Sequence, residues 1–251
     1  MSLIGQTCVE EVTISTPPFG GDIELNPYQF VDGEDANDTY TVTPATVGCD
    51  DVGTTAIQVN GPNGFTCTSS LVLIDDVPPV SVVEPVITLT LVDGTATLLP
   101  STVDDGSYDA CTPITINLSQ TEFTCDDIGI NQVAFTAEDE NGNWNQAMTI
   151  VKVIDNTTPI LLVNDYLNVS FDNNGEAVIT FDMVEEGAGS FDQCGEIIKS
   201  LSQTEFDCSD AGEQNVIFSA QDESGNLATE IITINFEDKI PPVPVVVNLS
   251  T

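Results

Sequence analysis

Apolar and polar residues alternate in short runs along this chain, and turn-forming residues separate the runs. Ile87, Leu89 and Leu91 alternate with Thr88 and Thr90, Asp93-Gly94 follows, and Ala96 and Leu98 resume the apolar positions. Period-two alternation on both sides of an Asp-Gly pair predicts a β-hairpin. An acidic loop over residues 103–111 and a strand around residues 114–118 come next. Val133, Phe135 and Ala137 then alternate up to the turn Glu140-Asn141-Gly142-Asn143, and residues 148–154 read as a closing strand. The series returns with Leu167, Val169 and Phe171, the turn Asn173-Asn174-Gly175, and Ala177, Ile179 and Phe181. No stretch sustains a helical period, and turn signals recur about every 8–12 residues, as in an antiparallel sandwich of about seven strands. The expected fold class is all-β, with tandem immunoglobulin-like β-sandwich domains.

One cassette occurs twice. Residues 118–143 read LSQTEFTCDDIGINQVAFTAEDENGN, and residues 201–226, at an offset of 83, read LSQTEFDCSDAGEQNVIFSAQDESGN. The same offset carries Asp109 onto Asp192, Cys111 onto Cys194, Cys125 onto Cys208, Asp139 onto Asp222 and Asp155 onto Asp238. This period is longer than the usual solenoid repeat and long enough to close a small core of its own. The first 77 residues align once gaps are allowed: VTIS at 12–15 matches ITLT at 87–90, and CDDVG at 49–53 matches CDDIG at 125–129. There Asn60-Gly61-Pro62-Asn63-Gly64 stands in place of Asp-X-X-Gly-Asn, a turn without the carboxylate. Pro78-Pro79 cannot donate backbone hydrogen bonds and reads as an extended hinge. The expected domains are 1–77 (divergent), 78–157 and 158–240, with 241–251 as the start of a further repeat or a tail.

Charge narrows the functions available. Asp and Glu number 41 against three lysines, with no arginine and no histidine, for a formal net charge of −38. Such a surface repels nucleic acid and anionic membranes alike. Histidine-based nucleophile activation and His-ligated zinc cannot be built from these residues. Disorder is not expected either, because the apolar fraction is 41% and follows strand patterns. The acidity is then a solubilising or salt-adapted surface, or a supply of ligands for divalent cations. No apolar run approaches the length of a membrane span, and MSLIGQT at the start lacks the basic and apolar parts of a signal peptide.

Cys111 and Cys125 enclose 13 residues, as do Cys194 and Cys208, which predicts one disulfide inside each of these repeats. Closing a loop of about 15 residues is worth on the order of 3 kcal/mol. Such bonds imply an oxidising compartment, hence an extracellular or cell-surface location. In the first repeat Cys8 is expected to pair with Cys67, because first and last strands neighbour each other in such sandwiches, leaving Cys49 unpaired; Cys49 with Cys67 is the alternative.

Asp-X-Cys, then Phe-X-Cys, then Ala-X-Asp-X-X-Gly-Asn, then a strand ending Ile-Asp-X-X-X-Pro at residues 154–159 resembles the hyalin repeat (HYR-like) domain. The likeness is nearest to the tandem arrays of secreted surface proteins and gliding-type adhesins of Bacteroidota, and covers residues 78–242 well and the first repeat loosely. It implies an immunoglobulin-like fold, an extracellular location, a role in adhesion or spacing, and no catalytic activity.

Strand tracing places acidic side chains where one repeat meets the next. Asp75 and Asp76 from the linker, Asp104, Asp105 and Asp109 from the acidic loop, and Asp139 from the turn are expected at the first junction. Asp155, Glu185, Glu186, Asp192 and Asp222 are expected at the second. Hard oxygen ligands from several loops suit Ca2+, which would stiffen the array. The plainer account has Asp139 and Asp222 accept hydrogen bonds from backbone amides of their own turns. Paired carboxylates also occur in glycosidases, but here they lie on repeated loops of small sandwiches that offer no deep cleft. Trp144, which follows Gly-Asn, is either a sugar-stacking platform or a shield beside the turn. The expected function is a non-catalytic adhesin stalk or spacer whose partners are neighbouring repeats and a surface glycan or protein. The alternative is a glycan-binding or accessory module of a secreted hydrolase.

Overall fold

The computed structural model describes residues 5–33 and 38–241, so all but the first residue of the 241–251 segment lies outside the described residues. The fold is all-β and follows an immunoglobulin-like sandwich plan. Two compact units are formed, one of Met1–Ile87, Leu98–Thr121 and Gln132–Val151, the other of Thr88–Thr97, Glu122–Asn131 and Lys152–Thr251.

In the first unit, strand Glu11–Ser15 runs parallel to Thr66–Ile74, which is antiparallel to Gly53–Asn60, which in turn pairs with Thr41–Thr43. Alternation explains why the sheet has one wet face and one dry face. Ile57, Val59, Leu71 and Leu73 point inward and are at most 1% exposed, while Gln58 and Thr68 face solvent. A pair of two-residue strands, Ile23–Glu24 with Thr46–Val47, supplies the opposite layer, and Phe30 and Val47 fill the space between. The same unit contains strand Ile114–Leu118, which pairs antiparallel with residues 135–139.

The second unit repeats the plan. Tyr166–Ser170 runs parallel to Leu227–Glu237, followed by Gly212–Gln221 and Ile198–Leu201, with Glu176–Val178 and Glu205–Asp207 as the opposing pair. Its core is aromatic: the Phe206 ring stacks on Phe236 at 4.3 Å between centroids, and Phe171 stacks on Phe236 at 5.6 Å. Phe218 is fully buried, which contributes about 2–3 kcal/mol through apolar area alone. The positions at the 83-residue offset are buried alike: Phe123 and Phe206, Val133 and Val216, Phe135 and Phe218, Ala137 and Ala220.

Two sequence expectations are corrected. The turn at Asp93-Gly94 is present, with φ of 50° and 76° and a bridge from Val92 to Thr95, but it does not join a hairpin. Thr95–Thr97 pairs instead with Glu122–Thr124, as Glu176–Val178 pairs with Glu205–Asp207. The chain therefore changes sheets at the turn, the corner that a sandwich needs and that local alternation does not encode. Residues after Pro78-Pro79 are no free hinge. Val80 exchanges two backbone hydrogen bonds with Tyr108 (2.7 and 3.1 Å), Asp105 N donates to Val82 O and Glu84 N to Val103 O, so the acidic loop is zipped to the linker. The loop also opens on a single helical turn, Pro100–Val103.

Candidate metal centre at the repeat junctions

The first junction is built from the end of one repeat and two loops of the next. Thr66–Ile74 delivers Asp75, which is 7% exposed. Its Oδ1 accepts from Thr16 Oγ1 (3.0 Å) and its Oδ2 from Asn141 Nδ2 (3.2 Å). Asp139, at the end of strand Gly129–Asp139, accepts from the backbone amides of Asn141 (2.9 Å) and Asn143 (2.8 Å) through Oδ1. The Asn143 carboxamide then donates both ways, to Asp139 Oδ2 (2.8 Å) and to the Asp75 carbonyl (3.0 Å). This explains the Gly-Asn of the motif: glycine takes positive φ (88° at Gly142) and asparagine clamps the turn to the preceding repeat.

Asp109 completes the group. Its Oδ1 accepts from the amides of Cys111 (2.8 Å) and Thr112 (3.0 Å), while Oδ2 is buried and accepts no hydrogen bond. One carboxylate oxygen from each of Asp75, Asp109 and Asp139 lies within 4.8 Å of the others. At an effective dielectric of about 20, each such pair repels by on the order of 3 kcal/mol. Among the described residues no salt bridge reaches the cluster: Lys199 pairs with Glu185 and Lys239 with Glu237.

The second junction uses the same parts. Asp155, 5% exposed, accepts from the Thr157 amide (2.9 Å) through Oδ1, and its buried Oδ2 accepts nothing. Asp222 accepts from Asn226 N (2.7 Å) and Asn226 Nδ2 (2.8 Å), and the same carboxamide reaches the Asp155 carbonyl (3.2 Å). Asp192 accepts from Cys194 N (2.7 Å) and stands within 4.8 Å of Asp155 and of the Cys194 sulfur. That sulfur is committed to a disulfide and offers no thiolate, so the oxygens of Asp155 and Asp192 remain as hard ligands, with Asp222 tied to the Asp155 backbone through the Asn226 carboxamide. Two buried carboxylate oxygens without a hydrogen bond, Asp109 Oδ2 at the first junction and Asp155 Oδ2 at the second, fit a cation that takes oxygen donors.

The remaining acidic residues of the sequence reading have other engagements. Asp76 is exposed and accepts from Ser15 Oγ (3.0 Å). Asp104 accepts from the Ser107 amide (2.8 Å) and braces the acidic loop, while Asp105 points to solvent. Glu185, at the corresponding place, accepts from the Ser190 amide (2.8 Å) and from Lys199 Nζ (2.7 Å). Burial pushes the Glu185 carboxyl up, but the hydrogen bonds from Lys199 and Ser190 outweigh it and hold its pKa below the ordinary value. Glu186 is exposed and takes part through its backbone. Trp144 is 59% exposed.

The cysteines pair differently from the expectation in two of three cases. Cys8–Cys67 forms as expected, with 5.9 Å between Cα atoms. Cys111 bonds Cys49 rather than Cys125, and Cys194 bonds Cys125 rather than Cys208, with Cα separations of 4.8 and 5.0 Å. Cys208 is a free, exposed thiol. The third repeat shows why. Cys194 lies beside Ile198, which pairs with Gln221 next to the Asp222 turn, whereas Cys208 follows strand Glu205–Asp207, which pairs beside Gly175. A strand's length separates the two, beyond the span that a disulfide tolerates. Each bond instead joins the short helical turn of one repeat to the Asp-X-Cys loop of the next.

No family model matches the chain, and no curated protein matches it. Among solved structures it is similar to the I-band fragment I67-I69 from titin, at 13% identity, 93% of this chain and 98% of that one, with a TM-score of 0.40. It is also similar to the Protocadherin GammaB4 extracellular domain (13%, 90% and 48%, TM-score 0.32) and to Sidekick-1 immunoglobulin domains 1-4 (12%, 91% and 74%, TM-score 0.33). The chain thus spans 48% of the protocadherin chain's length.

Proposed function

We propose that the chain is a non-catalytic segment of a large extracellular or cell-surface protein, in which the repeats 1–77, 78–157 and 158–240 act as an adhesin stalk or spacer stiffened by calcium at their junctions. The observation that carries this reading is the carboxylate group of Asp75, Asp109 and Asp139, drawn from the end of one repeat and the loops of the next, with Asp155 and Asp192 brought together in the same way at the second junction. Asp75 and Asp155 would contribute the linker oxygens, that of Asp155 being unpartnered, Asp109 its unpartnered one, Asp192 a loop oxygen, and Asp139 and Asp222 those of the turn. A bound divalent cation supplies the positive charge that offsets three converging carboxylates. Disulfides that join successive repeats support an oxidising, extracellular setting. Membership of the hyalin repeat type agrees with the motif residues and belongs to the same proposal.

The test is thermal unfolding with a chelator and with calcium. Saturation at 100 times Kd stabilises by about 2.7 kcal/mol per site, which for a chain of this size raises Tm by about 5–10 °C. Asp109→Asn combined with Asp192→Asn should abolish the rise. Identical melting curves with chelator and with millimolar calcium would remove the metal from the proposal.

A further inference from the structure

Cys49, Cys125 and Cys208 occupy one structural position three times. Each opens a short helical turn, Cys49–Asp51, Cys125–Asp127 and Cys208–Asp210. In each the closing aspartate accepts from the amide before the cysteine: Gly48 N to Asp51 (2.9 Å), Thr124 N to Asp127 (2.8 Å) and Asp207 N to Asp210 (3.0 Å). The sulfur's surroundings repeat as well. Cys125 Sγ lies 3.6 Å from Gly94 O in its own repeat and 3.5 Å from Gln193 O, the residue before Cys194 in the next. Cys49 Sγ lies 3.4 Å from Ala110 O, the residue before Cys111. Cys208 Sγ keeps the first half of this seat, 3.5 Å from Gly175 O, and its exposed face is where the other two receive a loop.

We propose that Cys208 is a covalent docking residue for a further repeat of this kind, closing with that repeat's Asp-X-Cys cysteine as Cys49 closes with Cys111 and Cys125 with Cys194. This deepens the stalk reading and rests on it. The partner chemistry is specific: a thiol on a loop whose aspartate holds the cysteine amide, as Asp109 holds Cys111 N (2.8 Å) and Asp192 holds Cys194 N (2.7 Å). With a small-molecule disulfide such as oxidised glutathione as oxidant, the Cys208 thiolate attacks one sulfur and releases a glutathione thiolate. The partner thiolate then attacks the Cys208 sulfur, forming the protein disulfide and releasing the second glutathione. Two protein thiols lose two protons and two electrons, and the oxidant takes up both.

The experiment extends the chain after Ile240 with a second copy of residues 158–240, which reproduces the native junction spacing, and refolds it in glutathione redox buffer. Non-reducing peptide mapping by mass spectrometry should find Cys208 joined to the first cysteine of the added copy. In Cys208→Ser that added cysteine should become a free or glutathionylated thiol while the circular dichroism spectrum is unchanged. If the Cys125–Cys194 peptide is present but Cys208 stays free, glutathionylated or joined to the second added cysteine, the docking role is wrong and the stalk reading stands. If the Cys125–Cys194 peptide is itself absent, the shared seat is wrong and both fail.

Discussion

Asn143 and Asn226 show how much one carboxamide can organise. Each donates one hydrogen to its own turn aspartate and the other to a backbone carbonyl of the preceding repeat, a pairing that Asp or Ser at the same place could not make. Glu185 makes the opposite choice from the junction aspartates, spending its charge on Lys199 and the Ser190 amide. Its pKa is lowered, so its stabilising effect is complete above the unfolded-state value of about 4.3 and is lost as pH falls through the lower folded value. Glu185→Gln should therefore cost about 1–2 kcal/mol at pH 7, lowering Tm by a few degrees. The gap between the two melting temperatures should close as pH falls from about 5 to about 3. A gap that persists undiminished at pH 3 would mean that shape at this position, rather than charge, sets its contribution.

At the scale of elements, the corner turns decide which sheet each strand joins. Gly175 has a φ of 81°, and a Cβ placed there would lie 2.7 Å from Cys208 Sγ. Asp172 props the turn from the other side, accepting from the Glu176 amide (2.9 Å) and the Asn174 amide (2.8 Å), bonds that hold its pKa below the ordinary range. Gly175→Ala should destabilise by about 2–3 kcal/mol, from unfavourable φ and the sulfur contact together. Gly175→Ala with Cys208→Ala should recover the contact part and leave about 1 kcal/mol; urea midpoints of the four proteins measure this. Full additivity of the two substitutions would contradict the contact.

The strands, their inward residues and the acidic turns were legible because alternation and Asp-X-X-Gly-Asn are local signals. The sheet switch at Asp93-Gly94 was not, because a turn type does not say which partner the following strand will find. Nor was the disulfide order. An equal spacing of Cys111 to Cys125 and Cys194 to Cys208 is produced equally well by bonds within repeats and by bonds from each repeat to the next. The unmatched Cys49 was the one sequence feature that pointed to the second arrangement, since pairing to the next repeat gives it a partner without taking Cys67 from Cys8. Of the residues expected at the first junction, Asp75, Asp109 and Asp139 come together, whereas Asp76 turns to Ser15 and Asp104 to the Ser107 amide, engagements that strand tracing does not encode.

For the whole molecule, the disulfides redefine what happens under tension. A load entering at Cys8 crosses to Cys67, runs 18 residues back to Cys49, crosses to Cys111, runs 14 residues on to Cys125 and crosses to Cys194. The taut path therefore holds 32 residues, against 186 along the chain between Cys8 and Cys194. At about 3.4 Å per extended residue the oxidised segment reaches about 125 Å with its bridges, and the reduced one about 630 Å. Single-molecule pulling from the two ends should give a total contour length about 500 Å greater in reductant than under oxidising conditions. Unfolding of the first repeat should release almost no length while its bonds are intact. The step from Cys194 to Cys208 is again 14 residues, so each further bond of the same kind would add only that much to the taut path. Equal contour lengths in the two conditions would show that the bonds do not carry the load, whereas a gain of about 280 Å would point to Cys125–Cys194 open and one of about 425 Å to Cys49–Cys111 open.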